Sequence, residues 1–125
     1  MEYDIAPAIS LVVIRSRDLA ASVEFYSALG FEFNEEQHEY GPVHYVAELE
    51  DWVFEIYPFD GSISSTGTRL GFRVTSINNI LVALGETTKV IRAPFNHSDD
   101  DSHRPLSAVI EDPDGHKIEL VQYKY

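Results

Sequence analysis

The sequence predicts an α+β fold of two tandem β-α-β-β-β modules, and three observations carry that prediction. Phe54-Glu55-Ile56-Tyr57 and Ile118-Glu119-Leu120-Val121 each set one carboxylate among the apolar residues of a short strand-like run. Leu11-Val12-Val13-Ile14-Arg15 is echoed by Arg69-Leu70-Gly71-Phe72-Arg73. A capped helical pattern follows each of these runs. Repetition of this kind reads as two copies of one unit. A carboxylate within a strand is costly to bury without a partner, so the paired glutamates mark a shared polar site.

In the first module, about residues 5–60, the apolar run 9–15 reads as a strand. Asp18 supplies an N-cap acceptor for a helix that ends near Gly30, with Leu19, Val23, Tyr26 and Leu29 as its apolar stripe. Residues 31–35, 43–49 and 52–58 then read as three strands, separated by the turn material Tyr40-Gly41-Pro42 and Glu50-Asp51. A Gly/Ser/Thr-rich link, Gly61 to Thr68, leads into the second module, about residues 66–125. There a strand at 69–75 precedes a helix capped by Ser76 and stopped at Gly85, with Ile77, Ile80, Leu81 and Leu84 at helical spacing. Strands at 88–92, 106–111 and 116–123 complete the copy, and Asp112-Pro113-Asp114-Gly115 suits a type I turn between the last two. The polar stretch Asn96 to Pro105 lacks apolar residues and reads as a loop.

At 125 residues the chain fits one domain able to bury a core without staples. Having no Cys, it offers no disulfide, thiol nucleophile or thiolate metal site. A formal charge of −12 disfavours contact with a nucleic-acid backbone, which needs clustered Lys and Arg. No long apolar run suggests a membrane span and no signal peptide is evident, so a cytoplasmic location is expected.

Two stretches carry a resemblance: Arg17-Asp18-Leu19 leading through Ser22 to Phe25-Tyr26 and Leu29-Gly30-Phe31, and Asp112-Pro113-Asp114-Gly115-His116 running into Ile118-Glu119-Leu120. With the duplicated module order, they resemble the vicinal oxygen chelate superfamily, which includes glyoxalase I, bleomycin resistance proteins, fosfomycin resistance enzymes and extradiol dioxygenases. The resemblance implies curved mixed sheets around a cavity, with a homodimer building or completing the site. It also implies that metal ligands, where present, come from the first and fourth strands of each module. Those places here are Leu11, Glu55, Arg69 and Glu119.

Only the two glutamates among them can donate to a metal. Leu11 donates nothing, and Arg69 puts a permanent positive charge where a cation would sit. Neither Ile5–Ile14 nor Ser65–Thr75 contains His, Gln, Asp or Glu, so a small slip of register does not restore a site. The nearest type is therefore the metal-free, bleomycin resistance-like members, and no cofactor is expected. A ligand such as His44, entering from another strand, keeps a metal reading open.

Strand alternation puts Leu11 and Val13 on one face with Val53, Glu55 and Tyr57, opposite Phe54 and Ile56. In the second module Arg69, Gly71 and Arg73 share a face with Lys117, Glu119 and Val121. Arg69 is expected either to bridge the glutamates as an internal salt bridge or, with them, to orient a polar or cationic small molecule. His44, Trp52 and Tyr57 could stack on a planar ligand. His97 and His103 flank Asp99, Asp100 and Asp101 in a stretch that reads as a solvated loop, and His116 reads as a surface residue. Ser10, Ser22 and Ser107 lack the pattern of a catalytic triad.

Three functions fit: a metal-independent small-molecule-binding homodimer favouring cationic or aromatic ligands, a glyoxalase-related lyase, isomerase or dioxygenase with a non-standard metal site or acid-base chemistry at Glu55 or Glu119, and a structural module whose own side chains fill the cavity. The ligand-pocket residues expected for the first are Leu11, Val13, His44, Trp52, Glu55, Tyr57, Arg69, Arg73 and Glu119.

Overall fold

A computed structural model describes residues 6–61, 67–96 and 105–123. Two β-α-β-β-β modules follow one another. The first comprises β1 (Leu11–Ser16), α1 (Leu19–Leu29), β2 (Asn34–Glu36), β3 (His44–Glu48) and β4 (Val53–Pro58). The second comprises β5 (Arg69–Arg73), α2 (Ile77–Leu84), β6 (Val90–Asn96), β7 (Leu106–Glu111) and β8 (Lys117–Gln122). Each module forms one four-stranded mixed sheet, ordered β1-β4-β3-β2 and β5-β8-β7-β6, in which the first and fourth strands pair in parallel and the others antiparallel. No helix among the described residues is long and apolar enough to cross a membrane.

Local chemistry sets both helices. The Asp18 carboxylate accepts from the Ala21 N–H at 3.0 Å, and Gly30, at φ 121°, closes α1. A side chain there would be strained, because that backbone conformation suits glycine. The Ser76 hydroxyl accepts from the Asn79 N–H at 3.1 Å, and the Gln122 side chain accepts from the Ile77 N–H at 2.8 Å, so β8 also caps α2. The inward faces of both sheets and both helices share one core, with Phe25, Tyr26, Phe54 and Ile56 meeting Ile77, Ile110, Ile118 and Leu120.

Some boundaries move for physical reasons. Phe31 and Phe33 lie outside a strand, packed against Phe54, so β2 begins only at Asn34. β5 ends at Arg73 rather than at residue 75. β6 spans Val90–Asn96 rather than 88–92, with register shifts on either side of Arg92, and it takes in Asn96, the start of the expected loop. The remainder of that loop before Pro105, with His97, His103 and the three aspartates, lies outside the described residues, as do residues 62–66 of the link.

His116 is not a surface residue: it is 3% exposed. Its Nδ1 donates to Asp112 Oδ2 at 2.6 Å, and Tyr26 OH donates to the same oxygen at 2.6 Å. Asp112 Oδ1 accepts from the N–H groups of Asp114 and His116, each at 2.9 Å. Asp114 in turn accepts from the Arg17 N–H at 2.9 Å and the Ser22 hydroxyl at 3.3 Å. The turn between β7 and β8 is closed by the Gly115 N–H on Asp112 O at 3.0 Å, and the bonds from Arg17, Ser22 and Tyr26 rivet it to α1 and the residue pair before it. Burial pushes the Asp112 carboxyl up, but hydrogen bonds from His116 and Tyr26 outweigh it and hold the acid below its ordinary value. The bond to Asp112 lifts His116 above its ordinary value against the opposing effect of burial. Burial and the Asp112 charge raise Tyr26, which stays protonated.

Tyr26→Phe removes one hydrogen bond to a buried charge and is expected to destabilise by about 1.5–3 kcal/mol. Asp112→Ala strands His116 and the Tyr26 hydroxyl, and the expected loss is about 3–5 kcal/mol; urea unfolding measures both. Linkage sets the pH window. A depressed Asp112 contributes stability above its ordinary value of 3.8, lost as pH falls through the folded value, and a raised His116 contributes below 6.5, lost as pH rises through its own. The stability advantage over His116→Gln should peak between these values and shrink at alkaline pH. An advantage of equal size at pH 5 and pH 9 would refute the charged pair.

Candidate functional site

The face of the first sheet turned away from the helices is open. Register pairs Leu11 with Val53, Val13 with Glu55 and Arg15 with Tyr57, so these side chains share it. Leu11 is 54% and Val13 43% exposed. Glu55 makes no hydrogen bond or ion pair with any described residue. At the far end Tyr57 stacks on the buried His44 ring, with centroids 4.1 Å apart and planes 8° from parallel. The Arg15 guanidinium lies 5.3 Å from the Tyr57 ring and donates to the Pro58 carbonyl at 3.2 Å.

The corresponding face of the second sheet is charged. Among the described residues Arg69 pairs with neither glutamate, so the expected internal bridge is not formed. Arg69 opens β5 opposite Lys117, two positions before Glu119, and Lys117 turns to Glu111 at 2.8 Å. The partner of Glu119 is Arg92, whose Nη2 lies 3.6 Å from Glu119 Oε2 and donates to Ser107 Oγ at 2.9 Å. Both Arg92 and Glu119 register with Val109, so the long arginine reaches over one strand to the carboxylate.

The same row in the first module runs Glu55, Val46, Asn34. Asn34 stands where the second module has Arg92, and it brings no charge. The duplicated glutamates therefore differ: among the described residues Glu119 is neutralised by Arg92 and Glu55 has no partner. The position of Arg92 near the end of the expected strand 88–92 was visible in the sequence, but its partner depended on a bulge in β6 that no local pattern announces.

Trp52 has the strand parity of Phe54 and Ile56, not of Glu55, and it stacks on Phe72 with centroids 6.3 Å apart and planes 13° from parallel. It lines a cleft of about 610 Å³ between the modules, together with Phe31, Glu50, Asp51, Phe72 and Arg73. A second groove of about 330 Å³, walled by Ile9, Val12 and Arg69, lies on its other flank. Neither is lined by Glu55 or Glu119. The nine expected residues thus divide. Leu11, Val13, His44, Glu55 and Tyr57 share one open face, Trp52 with Arg69 or Arg73 lines the clefts, and Glu119 sits with Arg92.

The four positions where metal enzymes of this architecture place ligands do not fit a metal. Leu11 has no donor atom, Arg69 is a fixed cation and Glu119 is engaged by Arg92. Paired β-α-β-β-β modules with parallel outer pairing define the vicinal oxygen chelate class of fold. The chain belongs to the Glyoxalase/Bleomycin resistance protein/Dioxygenase superfamily, whose family model matches residues 8–120. Among solved structures it is similar to a glyoxalase/bleomycin resistance protein/dioxygenase family enzyme from Burkholderia phytofirmans PsJN, at 19% identity over 92% of this chain and 98% of that one, with a TM-score of 0.67. A glyoxalase/bleomycin resistance protein from Albidiferax ferrireducens T118 shares 23% identity over 90% and 97% of the two chains, with a TM-score of 0.66. A virulence protein from Salmonella typhimurium shares 20% over 97% and 100%, with a TM-score of 0.64. At these identities the likeness concerns the fold. No curated protein sequence matches the chain.

The two arginines make opposite predictions. Arg69→Ala is expected to change stability by no more than about 0.5 kcal/mol, as for an unpaired surface residue. Arg92→Ala removes a half-exposed ion pair and a hydrogen bond to buried Ser107, with an expected loss of about 1–2 kcal/mol in denaturant unfolding. The reverse ranking would mean that Arg69, not Arg92, neutralises the carboxylate.

Proposed function

We propose that the protein binds a small cationic or aromatic molecule without the family's metal centre, in a cavity that two copies of the chain complete. The observation that carries this reading is the state of Glu55, a carboxylate with no partner among the described residues, on a strand face flanked by exposed Leu11 and Val13. A lone charge framed by apolar side chains is the arrangement of a pocket that orients one polar group and buries the rest of its ligand. Exposed apolar side chains on a sheet face also favour a covering surface. A second copy supplies one of the right kind, because the other sheet presents Arg73 and Glu119 on its own open face. Glu55 takes the cation, Tyr57 and the apolar residues take the flat body of the ligand, and the acidic surface raises the local concentration of cations.

The test combines sedimentation velocity with calorimetric titration of planar aromatic cations, ethidium and acridine orange. A dimer that binds at least one of them is expected. Glu55→Gln should weaken binding roughly tenfold or more, since a hydrogen bond to a charged group is worth about 1.5–3 kcal/mol. Asn34→Arg, which gives the first module the arginine of the second, should weaken it similarly. A monomer that binds none of the cations, or binding indifferent to both substitutions, would refute the reading.

A further inference from the structure

Away from the family's metal positions, three potential metal donors converge at the edge of the first sheet. Glu36 ends β2 and registers directly against His44, the first residue of β3. His38 lies in the turn between them, which is closed by the Gly41 N–H on His38 O at 2.6 Å and by the Gln37 side-chain amide on Gly41 O at 3.0 Å. The side-chain donor atoms of the three residues all lie within 4.8 Å of one another. His38 Nε2 is 3.1 Å and His44 Nε2 3.4 Å from Glu36 Oε1. Donors around a tetrahedral zinc ion, at bond lengths of about 2.0–2.1 Å, stand about 3.3 Å apart, so little rearrangement would bring these atoms onto one ion.

The protonation pattern of His44 points the same way. Its Nδ1 lies 3.1 Å from the Pro42 carbonyl, which can only accept, so Nδ1 donates there and the neutral ring presents its Nε2 lone pair toward Glu36. A backbone carbonyl fixing one imidazole nitrogen while the other faces a metal is the usual outer support of a histidine ligand. Here the ring is 1% exposed and held flat against Tyr57. Its Nε2 is buried without a hydrogen bond: Glu36 is within ion-pair reach but not aligned to bond. A buried lone pair facing a carboxylate is two acceptors in opposition, and a shared cation resolves it.

We propose that Glu36, His38 and His44 form a binding site for one divalent transition-metal ion of the zinc type. Two imidazoles and one carboxylate suit Zn²⁺, Ni²⁺ or Co²⁺ and disfavour Mg²⁺ and Ca²⁺, which take oxygen ligands. His38 and Glu36 are solvent-accessible, which leaves ion entry and a further coordination position open. Through the His44–Tyr57 stack the ion would adjoin the face that carries Glu55, although the site does not depend on what that face binds.

The experiment is calorimetric titration of Zn²⁺ into the chelator-treated full chain, with Co²⁺ absorption as a second readout of nitrogen ligation. One ion per chain is expected, with a cobalt visible band and a melting temperature raised by zinc. His38→Ala, at an exposed position that spares the core, should weaken binding at least tenfold and abolish the thermal shift, and Glu36→Gln and His44→Gln should do the same. A His97→Gln/His103→Gln double variant, which removes the two histidines beyond β6, should bind as the parent does. The proposal is overturned by a parent chain that takes up no zinc, by binding that survives His38→Ala, or by binding lost in the His97/His103 variant. Repeating the aromatic-cation titrations with chelator present makes the zinc result and the ligand result fail independently.

Discussion

The fold turns on the Asp112 carboxylate. It is buried and accepts four hydrogen bonds, from Tyr26, His116 Nδ1 and two backbone N–H groups. An acid taken out of water is destabilising unless such bonds replace its hydration, and these do so from two parts of the chain far apart in sequence. Tyr26 belongs to α1 of the first module and His116 leads into β8 of the second, so one carboxylate fixes how the modules meet. The adjacent Asp114 adds the Arg17 N–H and the Ser22 hydroxyl, which bonds buried Ser16 at 2.6 Å. With that junction set, Tyr26 packs edge-on against Phe25, Phe54 and Phe72, and the aromatic core closes around it.

This junction also decides which faces remain for binding. Helices and inward strand residues are consumed by the shared core, so the outward faces of both sheets are left to solvent. The apolar side chains on the first of them are not needed to hold the chain together, and their exposure is a standing free-energy cost of about 25 cal/mol for each Å² left in water. A ligand or a second copy that covers Leu11 and Val13 recovers part of that cost. Glu55 limits what can cover them, because a wholly apolar surface would strand its charge, whereas a cation or a hydrogen-bond donor would not.

Much of this was legible in the sequence, and the limits follow physical lines. Period-two alternation separated Phe54 and Ile56 from Glu55 and Tyr57, and Asp18, Gly30, Ser76 and Gly85 marked both helices, because these signals are local. Partners across the sheet were not legible. Arg69 opens the strand paired with that of the second glutamate and has the right charge, yet Arg92 takes Glu119 because a bulged edge strand brings it across Val109. His116 looked exposed because it follows a turn glycine. It is held by Asp112, whose other side-chain partner is Tyr26, some ninety residues before His116, which no window of sequence contains. Read together, the turn aspartates and the helical tyrosine were the available signal. The strand parity of Trp52 already places it with Phe54 and not with Glu55.

The duplication also explains why the second module offers no counterpart to the proposed metal site. In the first module the row beyond Glu55 and Val46 holds Tyr57, His44 and Glu36. In the second, the row beyond Glu119 and Val109 holds Val121, Ser107 and Phe95. A stacked tyrosine, an imidazole and a carboxylate on one side thus face an apolar residue, a hydroxyl and a phenyl ring on the other. Ser107 instead receives Arg92, which also neutralises Glu119. The backbone supplies the same scaffold twice. Charge compensation inside the second module removes its carboxylate from service, whereas in the first, among the described residues, Glu55 has no partner and His44 Nε2 makes no hydrogen bond. Both groups lie on the same face, where a ligand or an ion would satisfy them. The groups left free for chemistry are therefore concentrated on the first sheet, and in the proposed dimer the second sheet would be their cover.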